Sequence, residues 1–239
     1  MKKYKTAAFT IIFCVCLSIV SAQEKYSVEQ LIGKGNPELY GDGIGLQKEA
    51  YDAFLKMKAA AKKDGIAIKV VSGYRNFDRQ KGIFERKYKA YTQRGMSPEQ
   101  AIEKIIEYST IPGTSRHHWG TDIDIIDGNK NVQNDVLDPD KFHGTGPFCA
   151  LKEWLDKNAN TYGFYIVYTD NPNRKGFKYE PWHYSYKAIS KPMLDAYKNV
   201  AIIEILKTNK LLGSEYLTDS FMQTYLKNNV FDINPALKE

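Results

Sequence analysis

The sequence predicts an α+β fold in which helices pack against a small sheet that ends in an antiparallel pair. Helical and strand periods alternate between Leu46 and Tyr186, and the last two strand segments are joined by a polar loop with no helix between them. That ending disfavours a doubly wound parallel sheet, whose strands need crossover helices. No internal repeat, low-complexity tract or Ser/Gly linker interrupts residues 27–186, so one compact domain is expected there. With 239 residues, 43% hydrophobic and 26% charged, the chain can bury a sizeable core, which excludes disorder, collagen and a coiled coil.

The first 22 residues stand apart. Lys2, Lys3 and Lys5 precede an uncharged apolar run, Thr6 to Ala22, that closes on the small residues Val20-Ser21-Ala22. This is the layout of a secretory signal peptide, with cleavage expected after Ala22 and no stable membrane insertion afterwards. A retained anchor is disfavoured, because 17 residues is the bottom of the spanning range. Neither Cys14 nor Cys16 follows a lipoprotein pattern, so a freely exported protein of the periplasm, cell envelope or extracellular space is expected. The formal charge of +6 then falls to about +3 and only Cys149 remains, which forbids an internal disulfide. Cys149 opens an apolar helical pattern and is expected as a small buried core residue.

Leu46, Ala50, Phe54, Met57 and Ala61 recur at helical spacing and stop at Gly65. Ile66 to Val71 is a β-branched strand. A second helix is expected from Phe77 to Arg94, ended by Gly95, with its lysines on a solvated face. A third opens at Ser97-Pro98-Glu99-Gln100, which supplies a cap, a first-turn proline and the glutamine of a capping box. Gly120 to Ile126 alternates as a strand, and Pro147 to Asn158 repeats as a helix. Phe164 to Tyr168 and Trp182 to Tyr186 form a hairpin around the polar loop Asp170 to Lys178. A further helix is expected to start near Pro192, followed beyond Leu211 by a less periodic tail. The expected division is 1–22 signal peptide, 23–190 the main domain and 191–239 a helical extension packed on that domain by residues such as Ile202, Ile203, Ile205, Leu206, Leu211 and Leu212.

The four histidines lie in three segments, two of which also carry carboxylates at suggestive spacing. One reads Ser115-Arg116-His117-His118-Trp119-Gly120-Thr121-Asp122-Ile123-Asp124, the other Glu180-Pro181-Trp182-His183-Tyr184. A catalytic zinc takes three nitrogen or carboxylate ligands and keeps one position open, and His117, Asp124 and His183 would fill such a site. The chain can turn at Gly120, Asp122 and Asp124 share one strand face with Ile123 and Ile125 on the other, and His183 lies opposite in face to Trp182 and Tyr184. Glu180 is then close enough to take a proton from water without binding the ion.

These segments resemble the S-x-H-x-x-G-x-x-x-D and E-x-W-H motifs of the zinc D-alanyl-D-alanine carboxypeptidases of the VanY type, LAS metallopeptidases that share the Hedgehog/DD-peptidase fold. Ser72-Gly73-Tyr74-Arg75-Asn76-Phe77-Asp78-Arg79-Gln80 resembles a third motif, S-G-Y-R-(S/T)-x-x-x-Q, and the resemblance covers about Gln47 to Tyr186. It implies a small antiparallel sheet with flanking helices, one Zn²⁺ per chain on His117, Asp124 and His183, and Glu180 as catalytic base. It also implies that Arg75 binds substrate and polarises the scissile carbonyl, with Gln80, Ser115 and Tyr74 in or beneath the substrate pocket. Ser115 is expected to hold the ligand loop by hydrogen bonding. The implied partners are peptidoglycan stem peptides that lose a terminal D-Ala, with a monomer expected.

The sequence departs from the family at two places. Asp122 stands where many members have alanine, and is read as a hydrogen-bond partner of the site or as a solvent-facing residue. Asn76 replaces a serine or threonine and could cap the next helix. His118 is expected behind the ligands or at the pocket rim, and His143 in a loop. Gly33-Lys34-Gly35-Asn36 lacks the phosphate-loop pattern, and no basic stripe with interleaved aromatics suggests nucleic acid. The motifs fix the chemistry but not the bond, leaving an L,D-carboxypeptidase or a stem-peptide endopeptidase as alternatives. A non-catalytic wall-binding module would lack the base or the arginine, and both are present.

Overall fold

In a computed structural model the described residues are 25–239, and the signal-peptide expectation for 1–22 lies outside them. Four strands, β1 (Ile68–Ser72), β2 (Asp122–Asp127), β3 (Phe164–Ile166) and β4 (His183–Tyr186), form one antiparallel sheet in the order β1-β2-β4-β3. The α+β expectation holds, including the hairpin, where Phe164 faces Tyr186 and Ile166 faces Tyr184. The hairpin strands are shorter than their apolar runs because pairing becomes irregular beyond Ile166. There Val167 N–H donates to His183 O and Glu180 N–H to Tyr168 O.

The helices are α1 (Val28–Leu31), α2 (Lys48–Lys63), α3 (Phe77–Thr92), α4 (Pro98–Ile105), α5 (Cys149–Asn158), α6 (Lys187–Tyr197), α7 (Ile202–Thr208) and α8 (Asp219–Tyr225). Ala50, Phe54, Met57 and Ala61 form the buried stripe of α2. Asn76 caps α3 by accepting from Arg79 N–H, and Ser97 with Gln100 forms the full capping box of α4. α2 and α5 cover the face of the sheet that carries Ile123, Ile125, Trp182 and Tyr184. A second apolar cluster joins Phe77 and Phe84 of α3, Ile102 and Ile105 of α4 and Trp119 to Met193, Tyr197, Leu206, Leu217, Met222, Tyr225 and Leu237. Side chains from beyond residue 191 are therefore built into the same core as α3.

The structure corrects expectations at Pro192, at Cys149 and in the tail. The helix expected near Pro192 begins five residues earlier, at Lys187, and carries Pro192 inside it. An interior proline forfeits a helical hydrogen bond, and burial of Met193, Leu194 and Tyr197 on that helix offsets the loss. Cys149 is only half-buried, because as the first residue of α5 its thiol turns outward toward Glu153. Beyond Leu211 the tail is more regular than expected, with α8 and a π-helical turn at Leu226–Val230, although Leu212 faces solvent.

Candidate metal centre and active site

The alternation of β2 decides what the site is made of. Asp124 lies directly across from His183 on β4 and Asp122 across from Ser185, so one sheet face presents two carboxylates, an imidazole and a hydroxyl. Along β1 the register slips between Val70 and Ser72, a bulge that sets Ser72 opposite Asp124 at the edge of the same site. All six residues of β2 are buried, so its carboxylates avoid the apolar face without reaching solvent.

The third donor comes from the turn before β2. Arg116–Trp119 is a single 3₁₀ turn closed by Gly120, whose φ of 65° is the left-handed conformation glycine adopts without strain. A Cβ there would also lie 2.6 Å from Leu39. The turn directs His117 back over β2. Its Nδ1–H donates to Gly73 O at 2.8 Å, which leaves the Nε2 lone pair facing Asp124 Oδ2 at 3.5 Å. On the other side His183 Nδ1 lies 4.0 Å from Asp124 Oδ1.

His117, Asp124 and His183 each offer one donor atom within 4.8 Å of the others. Bonds of 2.0–2.1 Å at tetrahedral angles separate ligands by roughly 3.3 Å, close to the His117–Asp124 spacing. His117 Nε2 and Asp124 Oδ1 are buried with no hydrogen-bond partner. Unpaired buried acceptors are costly, and two of them converging beside the Nδ1 of His183 fit a divalent cation of the zinc type, which would displace a proton from that ring on binding. Burial and the nearby Arg75 charge hold the His117 pKa down, which keeps the ring neutral as a ligand must be. His183 behaves oppositely. Burial alone would lower its pKa, but hydrogen bonds to Asp122 and Glu180 carry it up to about 10.

Glu180, on the segment leading into β4, is 6% exposed and its Oε2 lies 2.9 Å from His183 Nδ1. Burial raises its pKa against the pull of His183, which suits a carboxyl that takes up and returns a proton. These groups line a cavity of about 610 Å³ together with Arg75, Thr110, Ser115, Arg116, Lys87 and Tyr108. Arg75 is held from behind, its Nη1 donating to Gln80 Oε1 at 3.1 Å, while Gln80 Nε2 donates to Thr110 O at 2.8 Å.

The other expected residues fall in different places. Gln80 is fully buried behind Arg75 instead of on the cavity wall, since helical spacing from the Asn76 cap points it inward beside Phe77 and Phe84. Tyr74 packs on Gly45 and is likewise off the wall. Ser115 does line the cavity, but its hydroxyl has no partner within the protein, so the turn is held by the His118 N–H to Ser115 O bond instead. Asp122 is fully buried, which removes the solvent-facing alternative. His118 is buried under the turn, tying Arg75 O to Gly113 N–H, and burial pushes its pKa down to about 3. Gly33 makes room for that ring, which explains the glycine-rich start without a phosphate. Lys87 lines the cavity half-buried, unlike the solvated lysine expected of its helix. His143 is an exposed loop residue bonded to Tyr179 OH.

Sequence reasoning missed Thr110, Arg116 and Ser185. Arg116 alone left a signal, an opposite charge to Asp122 within one short segment. His118 shares the motif but shows no such sign.

A three-donor centre with one side open and a separate carboxyl beside it is the arrangement of a metal-dependent hydrolase. The family model described as VanY, D-alanyl-D-alanine carboxypeptidase, matches residues 43–189, and the chain belongs to that family. A D-alanyl-D-alanine carboxypeptidase of Enterococcus faecalis is 32% identical over 152 residues, 63% of this chain and 52% of that protein. The chain thus spans about half the length of that relative. The structure of VanYB in complex with D-alanine-D-alanine superposes with a TM-score of 0.53 at 27% identity, covering 79% of this chain and 93% of that one. A mutant vancomycin resistance D,D-pentapeptidase VanY in complex with Zn(II) gives a TM-score of 0.51 at 27% identity, covering 76% and 88%.

Proposed function

We propose that the protein is an exported zinc peptidase that removes the terminal D-alanine from peptidoglycan stem peptides. The observation that carries this reading is the convergence of His117, Asp124 and His183 within 4.8 Å, beside Glu180 and on the same cavity as Arg75. The zinc bound by a VanY relative and the D-alanine-D-alanine bound by VanYB support it. The basic and apolar start of the sequence supports export, and no described helix is long and apolar enough to cross a membrane.

His117, Asp124 and His183 would hold Zn²⁺, which when bound polarises a carbonyl and lowers the pKa of water. Glu180 takes one proton from the attacking water as the new C–O bond forms. As the C–N bond breaks, Glu180 returns that proton to the leaving amine, so one carboxyl serves as base and then acid. Arg75 is fixed by Gln80 and presents a permanent cation to the carbonyl oxygen or the substrate carboxylate. The unpartnered Thr110 and Ser115 hydroxyls and Arg116 Nη1 are free to bond the substrate backbone. The test is digestion of pentapeptide and tetrapeptide muropeptides with product masses, for the wild type, the chelated and zinc-restored protein, and Glu180→Gln. Loss of one D-alanine from the pentapeptide, abolished by chelator and by Glu180→Gln, is expected. Cleavage of the tetrapeptide alone, or inside the stem, would move the assignment to an L,D-carboxypeptidase or an endopeptidase. Unchanged hydrolysis by Glu180→Gln would remove Glu180 from the mechanism.

A further inference from the structure

Asp122 is the buried charge that the hydrolytic reading does not use. It is fully buried, and both of its oxygens are saturated. Oδ1 accepts from Thr121 Oγ1 at 2.6 Å and Ser185 Oγ at 2.7 Å. Oδ2 accepts from Arg116 Nε at 3.0 Å and His183 Nε2 at 3.0 Å. Arg116 Nη2 closes the ring by donating to Ser185 Oγ at 2.7 Å. An ionised carboxylate has about four acceptor positions, and here all four are taken. Asp122 therefore has no lone pair left to bind an ion, in contrast to Asp124, whose Oδ1 is unpartnered.

The register explains how Asp122 reaches His183. Directly opposite Asp122 is Ser185, and His183 lies two residues along β4 on the same face, the diagonal position that a ring can span. A carboxylate can only accept, so the hydrogen at Nε2 belongs to His183. With Nε2 engaged, the Nδ1 side of the ring is turned toward Asp124 and Glu180. His117 has the opposite arrangement, with Nδ1 tied to Gly73 O and Nε2 free. The two rings, 4.7 Å apart, thus present different nitrogens to one point.

We propose that Asp122 is the positioning carboxylate of the metal centre: it fixes the Nε2–H tautomer and ring orientation of His183, and Arg116, Ser185 and Thr121 hold it in place. The inference rests on the metal-site reading above and deepens it. Arg116 matters because a buried carboxylate is costly without a counter-charge, and its guanidinium both supplies that charge and fixes Oδ2 at 3.0 Å, the oxygen that meets His183. Ser185 acts as a relay, accepting from Arg116 and donating to Asp122. A carboxylate–histidine–metal arrangement of this kind raises ligand basicity and typically changes metal affinity by roughly 10- to 100-fold when the outer partner is replaced.

The experiment measures Zn²⁺ affinity by competition with a chromogenic chelator for the wild type, Asp122→Asn and the paired Arg116→Gln/Asp122→Asn. The pair removes both buried charges together, so it supplies the reading where the single variant does not fold. ¹⁵N-histidine spectra of the zinc-loaded proteins report the His183 tautomer, and melting of the metal-free proteins reports folding. The expected result is a Zn²⁺ Kd weakened roughly 10- to 100-fold, with a changed His183 signal, in a variant that still unfolds cooperatively above the assay temperature. A variant that folds and binds Zn²⁺ within about twofold of the wild type, its His183 signal unchanged, would overturn the proposal. A wild type that binds no Zn²⁺ would instead overturn the metal-site reading on which it stands.

Discussion

On one face of β2, Ile123 and Ile125 join Phe54, Phe148, Leu151 and Tyr184 in an apolar cluster; on the other, Asp122 and Asp124 meet His117, His183 and Arg116. Both faces are removed from water, yet burial has opposite meaning on them. For isoleucine it is favourable in proportion to area. For a carboxylate it is unfavourable until each lone pair is partnered. Asp122 meets that requirement with protein groups and Asp124 does not, so one face of a strand holds both a closed network and an open one. Burial pattern alone locates the strand, and the count of unmet acceptors locates the chemistry.

The largest expected effect comes from changing one face and then the other. Asp124→Asn should lower kcat/KM by roughly three orders of magnitude or more, the scale of losing a central catalytic group, while the metal-free protein melts no lower than the wild type. Its Oδ1 makes no bond whose loss would destabilise the fold. Ile125→Ala should do the reverse, lowering unfolding free energy by about 2–5 kcal/mol while the folded fraction keeps wild-type kcat/KM and Zn²⁺ affinity. Denaturant curves beside steady-state kinetics separate the two. Equal stability loss in both variants would show that the faces are not divided as described.

The same division decides what was legible in the sequence. The strand face of Asp122 and Asp124, the turn at Gly120, the caps at Asn76 and Ser97 and the hairpin follow from local rules, and local rules act within a few residues. Gln80, Lys87 and Cys149 were misplaced because their environment is set by partners far along the chain or by the first turn of a helix. Gln80 reaches Thr110, 30 residues away, and Lys87 faces a cavity whose opposite wall includes Asp135 and Pro139. The closed network of Asp122 depends on Ser185, 63 residues on, which no spacing within a motif can reveal.

Gln80 gives the next smaller effect. It lies among apolar residues but serves the polar face, through its bond to Arg75 Nη1. Gln80→Leu conserves volume and removes that bond, so kcat/KM should fall roughly 10- to 100-fold, the 1.5–3 kcal/mol of a hydrogen bond to a charged group. The Zn²⁺ Kd should stay at the wild-type value, because Gln80 touches no metal donor. A changed Kd would mean that Arg75 and the metal centre move as one unit.

The smallest effect tests the tail, which lies beyond the residues that match the family model. Tyr225 of α8 accepts from Ile111 N–H at 3.1 Å and bonds Thr114 Oγ1 at 2.8 Å, within the loop that carries Thr110 and Ser115 to the cavity wall. Removing its hydroxyl in Tyr225→Phe leaves the buried Ile111 N–H without an acceptor, at a cost of about 1–3 kcal/mol. The loop keeps other supports, since Tyr197 OH donates to Gly113 O and Gly113 N–H is held by His118. kcat/KM should therefore drop only about two- to fivefold, less than for Gln80→Leu, because the substituted bond steadies a wall and not the reacting groups. Unchanged stability and unchanged kcat/KM together would make the tail a separable cover. The expected small loss in both would make it part of the structure that shapes the site, with polar atoms of the second core reaching through to the polar face of the sheet.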